Sequence, residues 1–251
     1  MGVLEHRRNT LGDDHLDTLE AMHWVAWIFE RQGKFQEAEE LGLLVVNKRR
    51  EIIGYNHPHT LDAEGNLALV LTKLGRIREA EELSIELLER QRHILGENNP
   101  ETLLTMSNLG HIYNTMGRLQ EAEALELEVL ERRRSILGDD HPGTVLAMGN
   151  LAATYGYLDR FQEAELLGVA VLQRRKMLLG DSHPDILFTM NNLAAIYNKL
   201  DRLQEAEDLE IIFLEKCRSI LGNNHPDTLF SMGIMAGYTT NYENCRRQRH
   251  F

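Results

Sequence analysis

The stretch LGDDHPGT, Leu137–Thr144, places two carboxylates and a histidine side by side after a glycine. Met once, Asp139, Asp140 and His141 are the makings of a metal site or an acid–base pair. The same residues also suit a chain that stops one helix at Gly138 and starts another at Pro142. Repetition decides between the two. The stretch returns as LGDDHLDT from Leu11, IGYNHPHT from Ile53, LGENNPET from Leu95, LGDSHPDI from Leu179 and LGNNHPDT from Leu221, each start 42 residues after the last. A fixed period of about 20–50 residues signals an array of one small unit stacked on itself. Units stacked roughly 10 Å apart cannot bring two such histidines to one ion, whose bonds to nitrogen are about 2.1 Å. The third stretch has Asn99 in the histidine place, and the second has Tyr55 and Asn56 in place of the acids. What the stretches share is a residue able to cap a helix, followed by proline in five of six. His15, His57, His141, His183 and His225 are therefore read as structural, and the glycine before them as a helix-ending residue in the left-handed α conformation.

Two helical patterns fill each period. After His141, the residues Val145, Met148, Leu151, Ala152 and Tyr155 fall on one face of a helix, here named helix A. A polar break follows, with Gly33, Gly75 and Gly117 where a chain leaves a helix through positive φ. The second pattern, helix B, starts near Phe161 and carries Ala164, Leu167, Val171, Leu172 and Leu178 as its apolar stripe. Glu163 and Glu165 stand in its first turns, and Arg174, Arg175 and Lys176 near its end. Glu121, Glu123, Arg132, Arg133 and Arg134 repeat the arrangement one period earlier. Acids early and bases late suit the helix dipole, so the basic runs are read as solvated helix ends rather than as a nucleic-acid or membrane patch.

Composition agrees. Five prolines and 6% aromatics disfavour a barrel or sandwich, and Leu, Glu, Ala and Arg favour helix. A formal charge of −12 repels phosphate backbones, which excludes nucleic acid as an expected partner. Cys217 and Cys245 make no disulfide framework and are read as thiols of a reducing compartment. No apolar run is long enough for membrane insertion, and no signal-peptide core is evident, so a cytoplasmic location is expected. The sequence has no GxxxxGK[ST], GxSxG, HExxH or CxxC. Its acids and histidines are periodic, whereas a catalytic residue would break the period. No enzyme activity, cofactor or metal is expected.

The residues resemble the tetratricopeptide repeat. The large residue of that pattern is matched by Met22, Met106, Met148, Met190 and Met232. Its Leu-Gly pair is matched by Val25-Ala26, Leu67-Ala68, Leu109-Gly110, Leu151-Ala152 and Leu193-Ala194. Its tyrosine is matched by Phe29, Leu71, Tyr113, Tyr155 and Tyr197, and its helix-B alanine by Ala38, Ala80, Ala122, Ala164 and Ala206, always within EAE. The usual period is about 34 residues; the 42-residue form, with NLAxxY, GRxxEAExL and RRxxLGxxHP, is similar to kinesin light chain and to the C-terminal arrays of NLR-type signalling proteins. The implied fold is all-α, a right-handed superhelical solenoid of antiparallel helix pairs. The array is expected over 1–239: the end of a helix B at 1–12, complete repeats at 13–54, 55–96, 97–138, 139–180 and 181–222, and a lone helix A at 223–239. A divergent tail fills 240–251. An array that begins and ends inside a repeat leaves apolar flanks, so a fragment, a truncated product or an assembly partner at the ends is expected.

The resemblance implies a non-catalytic adaptor that holds a peptide segment of another protein in a concave groove. Kinesin heavy chain or motor cargo is the implied partner; the alternative is a sensor or autoinhibitory array of an NLR-type switch. By resemblance, Asn66, Asn108, Asn150 and Asn192 hold the peptide backbone, an amide being able to donate and accept. An inter-repeat hydrogen-bond ladder is their other reading. Trp27 and His111 stand three residues along, and Lys73, Tyr157 and Lys199 one turn deeper. The acidic, tryptophan-containing cargo peptides of kinesin light chains meet only a thin basic set here, Lys73, Lys199 and His111, so a mixed or apolar peptide is equally expected. Trp24 takes the asparagine place of the first repeat, and with Trp27 it is read either as a stacking anchor or as packing for a preceding repeat.

Overall fold

The computed structural model describes residues 2–181 and 183–220 and, beyond them, positions 222, 223, 228, 229 and 232. His225, Cys245, most of the expected lone helix A and the tail 240–251 lie outside the described residues. The chain is all-α, with no strand among the described residues. Its helices are α1 (Gly2–Leu11), α2 (Leu16–Arg31), α3 (Phe35–Ile53), α4 (Pro58–Lys73), α5 (Ile77–Ile94) and α6 (Pro100–Thr115). There follow α7 (Leu119–Leu137), α8 (Pro142–Tyr157), α9 (Phe161–Leu179), α10 (Pro184–Lys199) and α11 (Leu203–Ile220). Contacts divide the chain into two compact units, Met1–Val129 and Leu130–Phe251.

The opening stretch is a helix stop and a helix start, and the histidine itself is the cap. In α8, His141 has extended backbone, and its Nδ1 accepts from the Gly143 N–H at 3.0 Å. His15, His57 and His183 do the same for the second residue of α2, α4 and α10, and Asn99 Oδ1 does so for α6 at 2.9 Å. Accepting at Nδ1 requires a neutral ring with its proton on Nε2, so the geometry uses these imidazoles as hydrogen-bond acceptors. The glycine differs from expectation. Gly54 has φ 90 and ψ 162 and Gly180 has φ 77 and ψ 159, the mirror-β region that side chains exclude, not left-handed α. The Gly54 carbonyl then accepts from Thr60 Oγ1 at 2.9 Å, as Gly96 does from Thr102. The threonines at the same place in α2 and α8, Thr18 and Thr144, are buried without this bond.

The turn inside each repeat is less exacting. Gly33, Gly75 and Gly117 have φ of 74 to 77, and Asp159 and Asp201 take the same place at φ 58 and 57. Aspartate reaches left-handed α at modest cost, so glycine is replaceable there.

In unit 1 the core is built from Leu19, Met22, Val45, Val46, Leu67 and their neighbours; in unit 2 from Ile186, Leu187, Met190 and Phe213. The five EAE alanines are buried, at 0–1% exposure, so the small residue sits where helix B meets its neighbours. The expected helix-A stripe of α8 is buried throughout. The helix-B stripe of α9 is narrower than expected: Leu178 is 42% exposed, while Gly168 is buried against Leu193. A Cβ on Gly168 would lie 2.8 Å from Leu193 Cδ2, so close approach rather than an apolar side chain fills that part of the face.

The basic helix ends are not uniformly solvated either. Arg49 of α3 is only 2% exposed, and its Nη1 donates to the backbone oxygen of His59 at 2.6 Å. Arg7 reaches the Asp17 oxygen, Arg133 the Gly143 oxygen and Arg175 the Asp185 oxygen, each ten residues on. In α1, α3, α7 and α9 one arginine thus crosses the turn to the first turn of the next helix A. Burial lowers the pKa of Arg133 and Arg175. Gln91 and Cys217 occupy the same place in α5 and α11, and both are buried.

The GRxxEAE motif also resolves into contacts. Arg118 stacks on Tyr113 at 4.2 Å and pairs with Glu121 and with Glu81 of the preceding helix B. Arg202 stacks on Tyr197 at 4.7 Å and pairs with Glu205 and with Glu165. In the EAE of 79–81, Glu79 thus serves its own repeat through Arg76 and Glu81 serves the next through Arg118.

Candidate peptide-binding face

In unit 1, one face of α2 stays at the surface and carries both tryptophans. Trp24 is 54% and Trp27 42% exposed, and their rings meet edge-on with centroids 6.0 Å apart. Trp24 Nε1 donates to Glu20 Oε1 at 2.8 Å, and Arg31 lies 5.8 Å from the Trp27 ring. Beside them His23 is buried, with its Nε2 2.9 Å from Asp62 Oδ2 and 3.1 Å from the Asn66 amide nitrogen on α4. Asn66 is thus engaged by the preceding repeat, which is the ladder reading of these asparagines. Burial works to raise the Asp62 carboxyl, but the hydrogen bond and charge of His23, with Arg49 and His59 behind, outweigh it and hold Asp62 below its ordinary value. A pocket between α2 and α4, to which Ala38 and Gly42 of α3 also contribute, is lined by Ala26, Trp27, Glu30 and Asn66 among others. Trp27 and Asn66 are among the groove positions that the resemblance implies.

Lys73 is exposed at the end of α4, and His111 reaches the surface of α6. Partial desolvation, with the Lys73 charge behind it, pushes the His111 imidazole below its ordinary value. Asn108, on α6, is half-buried, and its amide makes no hydrogen bond among the described residues.

Unit 2 repeats the Asn108 situation twice. Asn150 on α8 and Asn192 on α10 are half-buried and their amides are without a hydrogen bond among the described residues. Ala153 and Ala195 are exposed three residues along, Tyr157 is 64% exposed at the end of α8, and Lys199 is exposed at the end of α10. One turn before each asparagine stands an apolar residue that the sequence reading passed over. Leu146 is 45% and Phe188 65% exposed; Leu104 holds the place in unit 1 at 44%, and Asp62 and Glu20 hold it in the earlier repeats. The signal was present, since these residues recur every 42 positions. They stand next to the buried stripe, and periodicity alone does not separate them from it.

Residues four apart on a helix share a face. Each of these helices therefore offers a polar amide next to an exposed side chain, with a small or flat residue beyond. That arrangement can hold a backbone peptide group and shelve a side chain; it holds no constellation for bond-breaking chemistry. Among the described residues no group of three or more His, Cys, Asp or Glu could hold a metal ion, and no helix is long and apolar enough to cross a membrane.

The comparisons agree with the geometry on the class of protein. One tetratricopeptide repeat family model matches residues 59–135 and 111–172, and a second matches 18–59 and 189–227. The chain belongs to the tetratricopeptide repeat family. Within it, the chain is similar to the nearly identical TPR-like repeats of a candidate kinesin light chain from Podosopora anserina. The identity is 28%, over 84% of this chain and 99% of that one, at a TM-score of 0.66. BtubC (BKLC) from P. vanneervenii shares the fold at a TM-score of 0.73, with 21% identity over 89% of each chain. NprR in complex with its cognate peptide NprX shares it at 0.68, with 17% identity over 99% of this chain and 71% of that one. No curated protein sequence matches.

Proposed function

We propose that this chain is a non-catalytic scaffold that binds an extended peptide segment of another protein along the exposed faces of the A helices within a unit. The observation that carries the reading is the set of half-buried amides of Asn108, Asn150 and Asn192, which lack protein partners among the described residues and sit beside exposed Leu104, Leu146 and Phe188. A half-buried amide without a partner forgoes hydrogen bonds that an extended peptide backbone supplies regardless of sequence. The likeness to kinesin light chain repeats, and to NprR with its peptide NprX, supports a protein or peptide ligand. Motor cargo is the partner class in keeping with the first, and the cytoplasm the place of action. Binding needs no cofactor.

The test is the affinity of the full chain for a fluorescein-labelled, tryptophan-free random nonapeptide pool, read by anisotropy. Each amide bond contributes about 1 kcal/mol, so Asn150→Ala with Asn192→Ala, both in unit 2, is expected to weaken binding about 20-fold or more with little change in melting temperature. Unchanged affinity sinks the reading.

A further inference from the structure

We propose that the pocket between α2 and α4 receives a cationic side chain, arginine or lysine, from the segment that unit 1 binds. The inference rests on the peptide-binding reading above and names the chemistry of its ligand.

Glu20, Trp24, Trp27 and Glu30 follow one another at spacings of four, three and three residues, so they share one face of α2. Glu30 lines the pocket with Trp27 and is half-buried, and its carboxylate makes no hydrogen bond or ion pair among the described residues. A carboxylate that has lost part of its water without gaining a cation is poised to bind one. The indole beside it is the aromatic ring that attracts cations best, and it already draws the Arg31 guanidinium of its own helix to 5.8 Å. Arg31, next to it on α2, and Lys73, at the end of α4, make no ion pair with Glu30.

The surroundings carry the same sign. Asp62 is committed to His23 and Glu20 to Arg49. Burial and the Asp62 charge together raise the Glu101 carboxyl at the start of α6 above its ordinary value, so the negative charge on this side of unit 1 is not fully compensated. The chain as a whole carries −12. A ligand cation would therefore gain from a paired carboxylate, a stacked indole and a favourable field. This sign is opposite to that of the acidic peptides implied by the resemblance to kinesin light chain.

Trp24 and Trp27 are the only tryptophans of the chain, so intrinsic emission reports this face alone. In Trp24→Phe the emission comes from Trp27. The probes are three tryptophan-free, fluorescein-labelled nonapeptide pools, identical except that the central residue is fixed as arginine, leucine or glutamate. Unlabelled versions serve for emission. The arginine pool is expected to change Trp27 emission at a concentration at least tenfold below that of the other two. Glu30→Gln is expected to erase that advantage while the circular-dichroism melting curve stays in place. If the leucine or glutamate pool acts at the same concentration or lower, the cationic assignment falls and the peptide-binding reading stands. If anisotropy shows binding while Trp27 emission is unmoved by every pool, the pocket assignment falls alone. If no pool binds, both fall.

Discussion

Arg49, in the last turn of α3, donates from its Nη1 to the backbone oxygen of His59 at 2.6 Å and pairs through its Nη2 with Glu20 on α2. One buried side chain thereby ties three helices of unit 1. Arg49→Ala leaves the His59 oxygen without its donor and Glu20 without its cation. We expect a loss of about 2–3 kcal/mol in urea unfolding of the chain. Arg49→Gln copies the residue found at this place in α5, where Gln91 is buried, and should cost less. A loss below about 0.5 kcal/mol for the alanine variant would show that the contact carries little.

The two turns of the repeat should respond differently to the same substitution. Gly54 sits at φ 90 and ψ 162, and a Cβ there meets no atom within 4 Å, so any cost is backbone strain alone. Gly54→Asp is expected to cost about 1–3 kcal/mol. Gly117, at φ 76, occupies the place held by Asp159 and Asp201 in later repeats. Gly117→Asp is expected to cost less than about 1 kcal/mol. Melting temperatures of the two variants side by side check this, and an equal loss would contradict the distinction.

Acid should act on unit 1 through two carboxyls of opposite sign. The Asp62 carboxyl lies below its ordinary value, so between the two values the unfolded chain binds more protons than the folded one. Its contribution is complete above the ordinary carboxylate value of about 4 and fades as the pH falls below it. Asp62→Asn should lower stability at pH 7 and flatten this acid limb. The Glu101 carboxyl lies above its ordinary value, so the folded chain binds the extra proton and gains stability as the pH falls through that interval. Glu101→Gln should raise stability at pH 7 and remove that gain. Urea midpoints from pH 7 to pH 3 test both, and parallel profiles for the two variants would refute the assignment.

A buried carboxylate offers a further comparison within the array. Glu64 is fully buried at the place held by Met22, Met106, Met148 and Met190, and it pairs with Arg50 and Arg90. The corresponding sites in other repeats also carry Arg or Lys beside a methionine, as Arg134 and Arg174 do beside Met148. Glu64→Met is therefore expected to be neutral or stabilising by about 1 kcal/mol or more, whereas Glu64→Ala should destabilise by about 3 kcal/mol through the cavity and the unpaired arginines. Equal losses for both would show that the ion pairs themselves hold the repeat together.

The helices, their order and their turns were legible because each signal is printed five or six times at one spacing; a residue such as Ala122 or Met106 needs no tertiary information to be placed. The cap was nearly legible: the stretch announced a helix start, but that His141 Nδ1 is the acceptor depends on χ angles. Arg133 and Arg175 were misjudged because charge alone says solvent, and only the fold shows a backbone oxygen within reach. Asn66 and Asn150 are identical by period, yet His23 makes one a structural partner and leaves the other open. Gly65, Ser107 and Gly149 stand 43 residues before Asn108, Asn150 and Asn192, as His23 stands before Asn66, so the difference lies in residues that depart from the period.

The Arg49 contact ends on a backbone oxygen, which every residue has. The joint between one repeat and the next therefore asks almost nothing of the particular side chains that follow. Removing residues 55–96 would present Arg49 with the carbonyl of Glu101 in place of that of His59, at the same distance along the chain. Adding or deleting 42 residues preserves this joint, while adding or deleting 40 leaves it without its acceptor. The length of such a protein is open to change by whole modules of 42 residues.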